Sequence, residues 1–228
     1  MTASFKTYLG NGLYTVAEAA MYARVSPALM SRWLFGTTRA DGVIDPQFGR
    51  GEKLVSFLDL IQTLAIREIR IQRKVPLVKF KQAIKTAKRT CGLDHPFARQ
   101  HFTYLLGDEL VIKRSEDDYI EASGKHRGHP LLPFVEMYLQ DLSFDKDGLA
   151  NKYQINIDVG ETKIPVVMDP RHRFGEPLLP SGYSVGAIWD SIKAEGRIDR
   201  TAEVYRIPKD EVEASYRYFV DHLGKTAA

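Results

Sequence analysis

The chain has one cysteine, Cys91, among 228 residues. A lone thiol forms no intrachain disulfide and supplies no cysteine-rich zinc site. There is no run of about 18 apolar residues, so no segment is expected to span a membrane. The opening MTASFKTYLGNG lacks the apolar core and cleavage site of a secretory leader. A cytoplasmic protein is the simplest expectation. Nucleophile elbow, dinucleotide fingerprint and metalloprotease helix are all missing. Gly49–Lys53 has neither the glycine spacing nor the Lys-Ser/Thr ending of a phosphate-binding loop. With no catalytic constellation in sight, an enzyme is not expected.

What is present is ordinary in bulk and uneven in detail. Hydrophobic residues make up 44% and charged residues 27%, the balance of a globular protein of one to two domains. The net charge of +3 hides a division. Residues 1–92 carry 15 Lys+Arg against 6 Asp+Glu, and the remainder 17 against 23. A basic half suits phosphates, whose neutralisation releases counterions; the alternative is a solvated surface with no partner.

The most informative stretch is Tyr14–Phe35, which predicts two short helices and a tight turn. Thr15 is a suitable N-cap and Glu18 stands three residues on, as a capping box requires. Val16, Ala19, Ala20 and Ala23 form one apolar stripe. Ser26 caps again, with Pro27 at the first helical position, where its missing N–H costs nothing. Leu29, Met30, Trp33 and Leu34 form an inward face, leaving Ala28, Ser31 and Arg32 on or near the other. This is the arrangement of a helix-turn-helix. An ordinary helical hairpin in a core remains the alternative.

Residues 36–57 are punctuated by Gly36, Gly42, Pro46, Gly49 and Gly51, so a loop or ribbon is expected there, with Lys53–Phe57 returning as a strand. Ser56 then caps a helix over FLDLIQTLAIREIRIQR, with Leu58, Ile61, Leu64, Ala65, Glu68 and Ile69 on one side and Leu60 with Ile71 widening the apolar arc. Pro76 opens another helix, PLVKFKQAIKTAKRTCG, with Gly92 as its C-cap. Its lysines are scattered around the helix and read as mostly solvated.

In this order, residues 12–100 resemble the DNA-binding domain of MerR-type regulators. The motifs that carry the resemblance are YTVAEAAMYARVSPALMSRWL, the glycine-bounded wing, VSFLDLIQTLAIREIR and VPLVKFKQAIKTA. The resemblance implies a winged helix-turn-helix backed by a two-helix hairpin. Unlike the usual MerR-type effectors, the chain shows no sustained heptads after Gly92. Phe102–Leu106 and Glu109–Arg114 instead predict two strands around Gly107–Asp108, and Tyr119–Ala122 a third. His126 and His129 lie in a loop, residues 123–130, without the further ligands a metal needs; no metal or cofactor is expected. Leu131–Leu142 predicts an amphipathic helix, and Lys152–Ile157 and Ile164–Met168 two short strands.

The final segment is similar to the small helical domain of unknown function that ends many VapB-like antitoxins. The matching marks are Asp169-Pro170-Arg171, Phe174-Gly175-Glu176-Pro177, Tyr183-Ser184-Val185, Ala202-Glu203-Val204-Tyr205, Ile207-Pro208 and Glu211-Val212. The stretch LLPSGYS departs from the glycine-threonine-arginine turn of that family. A helix-turn-helix-like pattern recurs here, with Asp199 starting one helix, Arg206-Ile207-Pro208 as the turn and Pro208 starting another. The charged turn around Arg171, His172 and Arg173 reads as partner-binding or simply exposed. A helix over Tyr205–Leu223 places Val212, Tyr216, Phe219 and Val220 on one stripe, with Val212 and Phe219 expected in the core.

Together these readings predict a mainly α protein with small β elements. Residues 12–100 form a winged helix-turn-helix, 101–168 a β-hairpin and connector, and 169–228 a helical, helix-turn-helix-like domain for dimerisation or partner binding. The resemblances imply a sequence-specific regulator that binds double-stranded DNA as a homodimer. They also imply the antitoxin of a type II pair, which binds its own promoter and neutralises a PIN-type ribonuclease toxin. Alternatives are a stand-alone transcription factor, a recombination accessory protein, or an effector sensor. Candidate DNA-contacting residues are Thr15, Ser26, Ala28, Ser31 and Arg32, with Arg39, Arg50 and Lys53 on the wing. Arg32 is the candidate for a base edge, since a guanidinium pairs bidentately with guanine. Candidate partner contacts are Arg171, Arg173 and Tyr216.

Overall fold

In the computed structural model, which describes residues 8–100, 103–106, 109–113, 119–121 and 141–224, caps fix where the N-terminal helices begin. Thr15 and Glu18 close a reciprocal capping box on α1 (Val16–Tyr22). Ser26 caps α2 (Pro27–Phe35), with Pro27 in its first turn. The connection is tight: Arg24 takes a left-handed conformation, φ 53°, and the Val25 N–H donates to the Ala20 carbonyl at 2.9 Å. Ala19, Ala20 and Ala23 meet the same core as Met30, Trp33 and Leu34, all buried.

Strand β1 (Tyr14–Thr15) pairs antiparallel with β2 (Leu54–Val55), so the chain returns beside its own start before entering α3 (Phe57–Arg73). Ser56 and Asp59 form the capping box of α3. The buried side of α3 is broader than an amphipathic stripe. Residues 59 to 66 are all buried, whereas Leu58 and Glu68, expected inside, are only half-buried, and Ile71, expected on the apolar arc, is exposed. A helix buried nearly all round is a central one. Leu60, Ile61 and Ile66 are fully buried there, each stabilising the fold by roughly 1.5–3 kcal/mol. Helix α4 (Leu77–Cys91) follows and ends at Gly92, which is left-handed at φ 64°. Phe80, Ala83 and Ala87 are its buried residues.

Strands β3 (Thr103–Leu106), β4 (Glu109–Lys113) and β5 (Tyr119–Glu121) form an antiparallel sheet in that order, with β4 lying against α4. The expected turn Gly107–Asp108 and the loop holding His126 and His129 lie outside the described residues. So does most of the expected helix Leu131–Leu142. Its last residue is not helical, because Leu142 begins strand β6 (Leu142–Phe144). Asp145 then turns the chain, its carboxylate accepting from the Asp147 and Leu149 N–H groups at 2.9 and 3.0 Å.

The chain divides into two compact units, Leu13–Asn151 and Lys152–Ala228 together with Met1–Gly12. The boundary falls within β7 (Ala150–Val159). In the second unit β7 pairs with β8 (Thr162–Met168) through a register that ends at Val159↔Thr162. The strands therefore run further than expected, and only Gly160, at φ 59°, and Glu161 remain as the turn. Positive φ at the first position of a two-residue loop matches the twist of the strands. Ile155, Ile157 and Val159 are buried while Gln154, Asn156 and Asp158 are exposed, the alternation of a half-buried strand.

Ser184 caps α5 (Val185–Glu195), followed by α6 (Ile198–Tyr205) and α7 (Lys209–Arg217). A single helix over Tyr205–Leu223 is not what forms. Arg206 takes a left-handed conformation at the end of α6. Pro208 carries no N–H and stands as the N-cap of α7. Beyond α7 the chain widens into a π-helical turn, Tyr218–His222. Val212 and Phe219 are in the core as expected, and Phe219 stacks on Trp189 with ring centroids 4.9 Å apart. Among the described residues there are seven α-helices and small antiparallel sheets. No described helix is long and apolar enough to cross a membrane.

Candidate nucleic-acid interface

Helix α2 has one sealed face and one open face. Met30, Trp33 and Leu34 are buried, Pro27, Ala28 and Arg32 are exposed, and Ser31 is half-buried. The Ser26 hydroxyl accepts from the Leu29 N–H at 3.2 Å. The Thr15 hydroxyl is occupied in its own capping box, accepting from the Glu18 N–H at 3.2 Å and donating to its carboxylate at 2.8 Å. Thr15 thus builds α1, and only its exposed edge faces solvent. Among the described residues Arg32 has no charged partner.

After α2 the chain forms a loop anchored at both ends, with no extended β ribbon. Its single bridge is Thr37↔Ala40. Gly36, at φ 78°, and Gly42 allow the return: a Cβ on Gly36 would strike the backbone of Ala40 to Gly42, and one on Gly42 the backbone of Trp33 and Leu34 in α2. The Val43 and Ile44 N–H groups both donate to the Trp33 carbonyl, at 2.6 and 3.0 Å. The Gln47 N–H donates to the buried carboxylate of Asp59, 3.2 and 3.3 Å from its two oxygens. Burial raises the Asp59 carboxyl to about 6, even though hydrogen bonds from Ser56 and Gln47 favour its charged form.

Two exposed arms project from these anchors. The first carries Arg39, in a turn closed by the Thr37 hydroxyl, which accepts from the Arg39 and Ala40 N–H groups at 3.2 Å. The second carries Arg50, and Lys53 stands exposed at φ 50° just before β2. Arg50 joins the arms by an ion pair with Asp41 at 3.0 Å. Its guanidinium is therefore already engaged by a carboxylate of the same loop.

Helix α4 stands behind this loop, and its lysines are not simply solvated. Lys81 donates to the Asp41 carbonyl at 3.2 Å, and Lys88 lies 3.4 Å from the Asp45 carboxylate. Behind α1, Glu68 pairs with Arg24 at 3.3 Å and with Arg67, and Arg67 donates to the Arg24 carbonyl at 3.3 Å. The basic end of α3 holds the turn between α1 and α2. Asp41, Asp59, Lys81 and Glu68 escaped the sequence reading as parts of this site. Asp59 alone left a signal, standing three residues after Ser56 as a capping box requires.

In the second unit the charged turn is internally satisfied. Arg171 grips Asp169 with two nitrogens, at 2.9 and 2.6 Å, and its N–H donates to the same carboxylate at 2.9 Å. That pairing holds the buried Asp169 carboxyl down at about 2. Arg173 is exposed, lies 3.4 Å from Glu176, and is left-handed together with Phe174, at φ 44° and 56°. Tyr216 sits apart from this turn. Its ring is 5.8 Å from that of Trp189, and it lines an open groove with Ile192, Ile198, Lys209 and Arg217. The stretch LLPSGYS is tethered by Glu211, whose carboxylate accepts from the Ser181 N–H at 3.0 Å. No group of side chains able to hold a metal ion occurs among the described residues.

No known family profile matches the chain. A protein of Mycobacterium tuberculosis (strain ATCC 25618 / H37Rv) named "Putative antitoxin VapB45" is 23% identical over 229 residues, covering 88% of this chain and 90% of that protein. The X-ray crystal structure of Rv2018 from Mycobacterium tuberculosis superposes with a TM-score of 0.58 at 20% identity, over 89% of this chain and 96% of that one. The chain is thus a distant, near full-length relative of an antitoxin-named protein and shares the fold of a solved mycobacterial one.

Proposed function

We propose that the protein is a sequence-specific DNA-binding regulator and the antitoxin of a toxin–antitoxin pair. The observation that carries the DNA reading is the two-faced α2. Its apolar face is sealed, and Ala28, Ser31 and Arg32, which has no charged partner among the described residues, are presented to solvent beside a loop bearing Arg39, Arg50 and Lys53. In this reading α2 enters the major groove near its N-terminal end and Arg32 meets a base edge. Ser26 and Ser31 contact backbone or base, and the loop cations lie along the neighbouring phosphates. One such module covers few base pairs, so a homodimer on paired half-sites is proposed.

The antitoxin reading is supported by the near full-length similarity to the VapB45 relative. It assigns the second unit to a toxin partner of PIN-type ribonuclease class. The first turn of α7 exposes Asp210, whose charge disfavours a second DNA-reading helix there. Titration of DNA from upstream of the protein's own gene, against a scrambled duplex, tests the central claim.

A further inference from the structure

Arg24, in the turn between α1 and α2, combines a strained backbone with an engaged side chain. Its φ of 53° is a left-handed conformation that glycine adopts freely and that a residue with a Cβ adopts at a cost. Two neighbouring residues of α3 offset that cost from different directions. The Arg67 Nε–H donates to the Arg24 carbonyl at 3.3 Å, and the Arg24 guanidinium donates to the Glu68 carboxylate at 3.3 Å. The same Glu68 oxygen accepts from Arg67, which closes a ring through Arg24, Arg67 and Glu68. Side-chain exposure is 33% for Arg24, 18% for Arg67 and 25% for Glu68. In the Arg50–Asp41 pair it is 40% and 73%, so water screens the ring less than that pair. Thr63 lies one turn before Arg67 on the same face of α3, its buried hydroxyl 3.5 Å from the Met30 sulfur of α2. Helix α3 therefore touches α2 itself and also the turn just ahead of its cap, Ser26.

We propose that Arg67 and Glu68 are positioning residues: by gripping Arg24 they fix the start of α2 against α3 and so set which base edges its exposed face meets. The proposal rests on the reading of α2 as a DNA-contacting helix, and none of the three side chains touches DNA in it. Base edges are read only at close hydrogen-bond geometry, whereas contacts from long side chains to phosphates carry no sequence information and tolerate a small shift of the helix. Loosening the ring therefore costs discrimination between sequences.

The test measures, by fluorescence anisotropy of the full chain, the ratio of affinities for the duplex upstream of its own gene and a scrambled duplex. A sequence-independent change of charge cancels in that ratio. Glu68→Gln and Arg24→Gln should each lower it about fivefold, one hydrogen bond's worth. The double variant, whose net charge equals that of the wild type, should lower it no further, because one ring is broken in all three. Arg24→Gly, which relieves the left-handed strain while removing the guanidinium, should lower it equally and serves if Arg24→Gln fails to fold. An unchanged ratio in folded variants of a wild type that discriminates overturns the proposal and leaves the α2 reading intact. Equal losses on both duplexes would make Arg24 a phosphate contact and also overturn it. A wild type that does not distinguish the duplexes fails the α2 reading first and this proposal with it.

Discussion

The buried carboxylate of Asp59 holds the Gln47 N–H, at 3.2 and 3.3 Å from its two oxygens. The same side chain caps α3 through the Ser56 N–H at 3.1 Å. One carboxylate therefore fastens the loop to the central helix of its unit. Its folded-state value of about 6 lies above the ordinary 3.8, so the folded chain holds this proton more tightly than the unfolded one. Stability from this group is then highest below about pH 4 and falls as pH rises towards 6, by up to ~3 kcal/mol. Urea unfolding at several pH values should show wild type losing this increment relative to Asp59→Asn. A difference independent of pH would contradict it.

Arg32→Ala should leave far-UV circular dichroism and melting unchanged, because the side chain is exposed. On its cognate site it should lose roughly 1–3 kcal/mol and relax one base preference. Unaltered affinity and preference would remove Arg32 from the interface.

Asp41→Asn should strengthen DNA binding, because it frees Arg50 from its 3.0 Å ion pair and removes a repelling carboxylate. The log–log salt slope should steepen by about one unit. Arg50→Ala should weaken binding on every sequence. If Asp41→Asn and wild type titrate identically, Arg50 does not meet a phosphate.

Partner capture is expected to depend on the second unit. Arg173→Ala and Tyr216→Ala should each reduce co-purification of the neighbouring gene's product, with DNA affinity unchanged. Both side chains lie outside the fully buried core. Full capture by both variants would move the partner surface elsewhere.

The N-terminal elements were largely legible because their signals are local. Thr15, Ser26 and Ser56 announce caps, Gly92 announces an end, and alternation at Ile155 and Ile157 announces a strand. The groups that shape the candidate interface were not, since they act over long sequence separations. Lys81 reaches Asp41 forty residues away, and no spacing rule contains that pair. The turn at Arg206-Ile207-Pro208 was legible from Pro208, and the backbone does turn left-handed there; the competing reading of one helix over Tyr205–Leu223 overran it. Gln62 and Asp59 were hidden for a related reason. Polar residues on a helix read as its wet face, yet both are buried here because α3 is covered nearly all round.

The most direct measurement is fluorescence anisotropy of the purified full chain on DNA from upstream of its own gene, with a scrambled duplex and a salt series alongside. Preferential binding is expected, with log affinity falling steeply as log salt rises. Equal affinity for both duplexes, or no binding at low salt, would contradict a sequence-reading α2 and leave residues 14–35 as a structural helical hairpin.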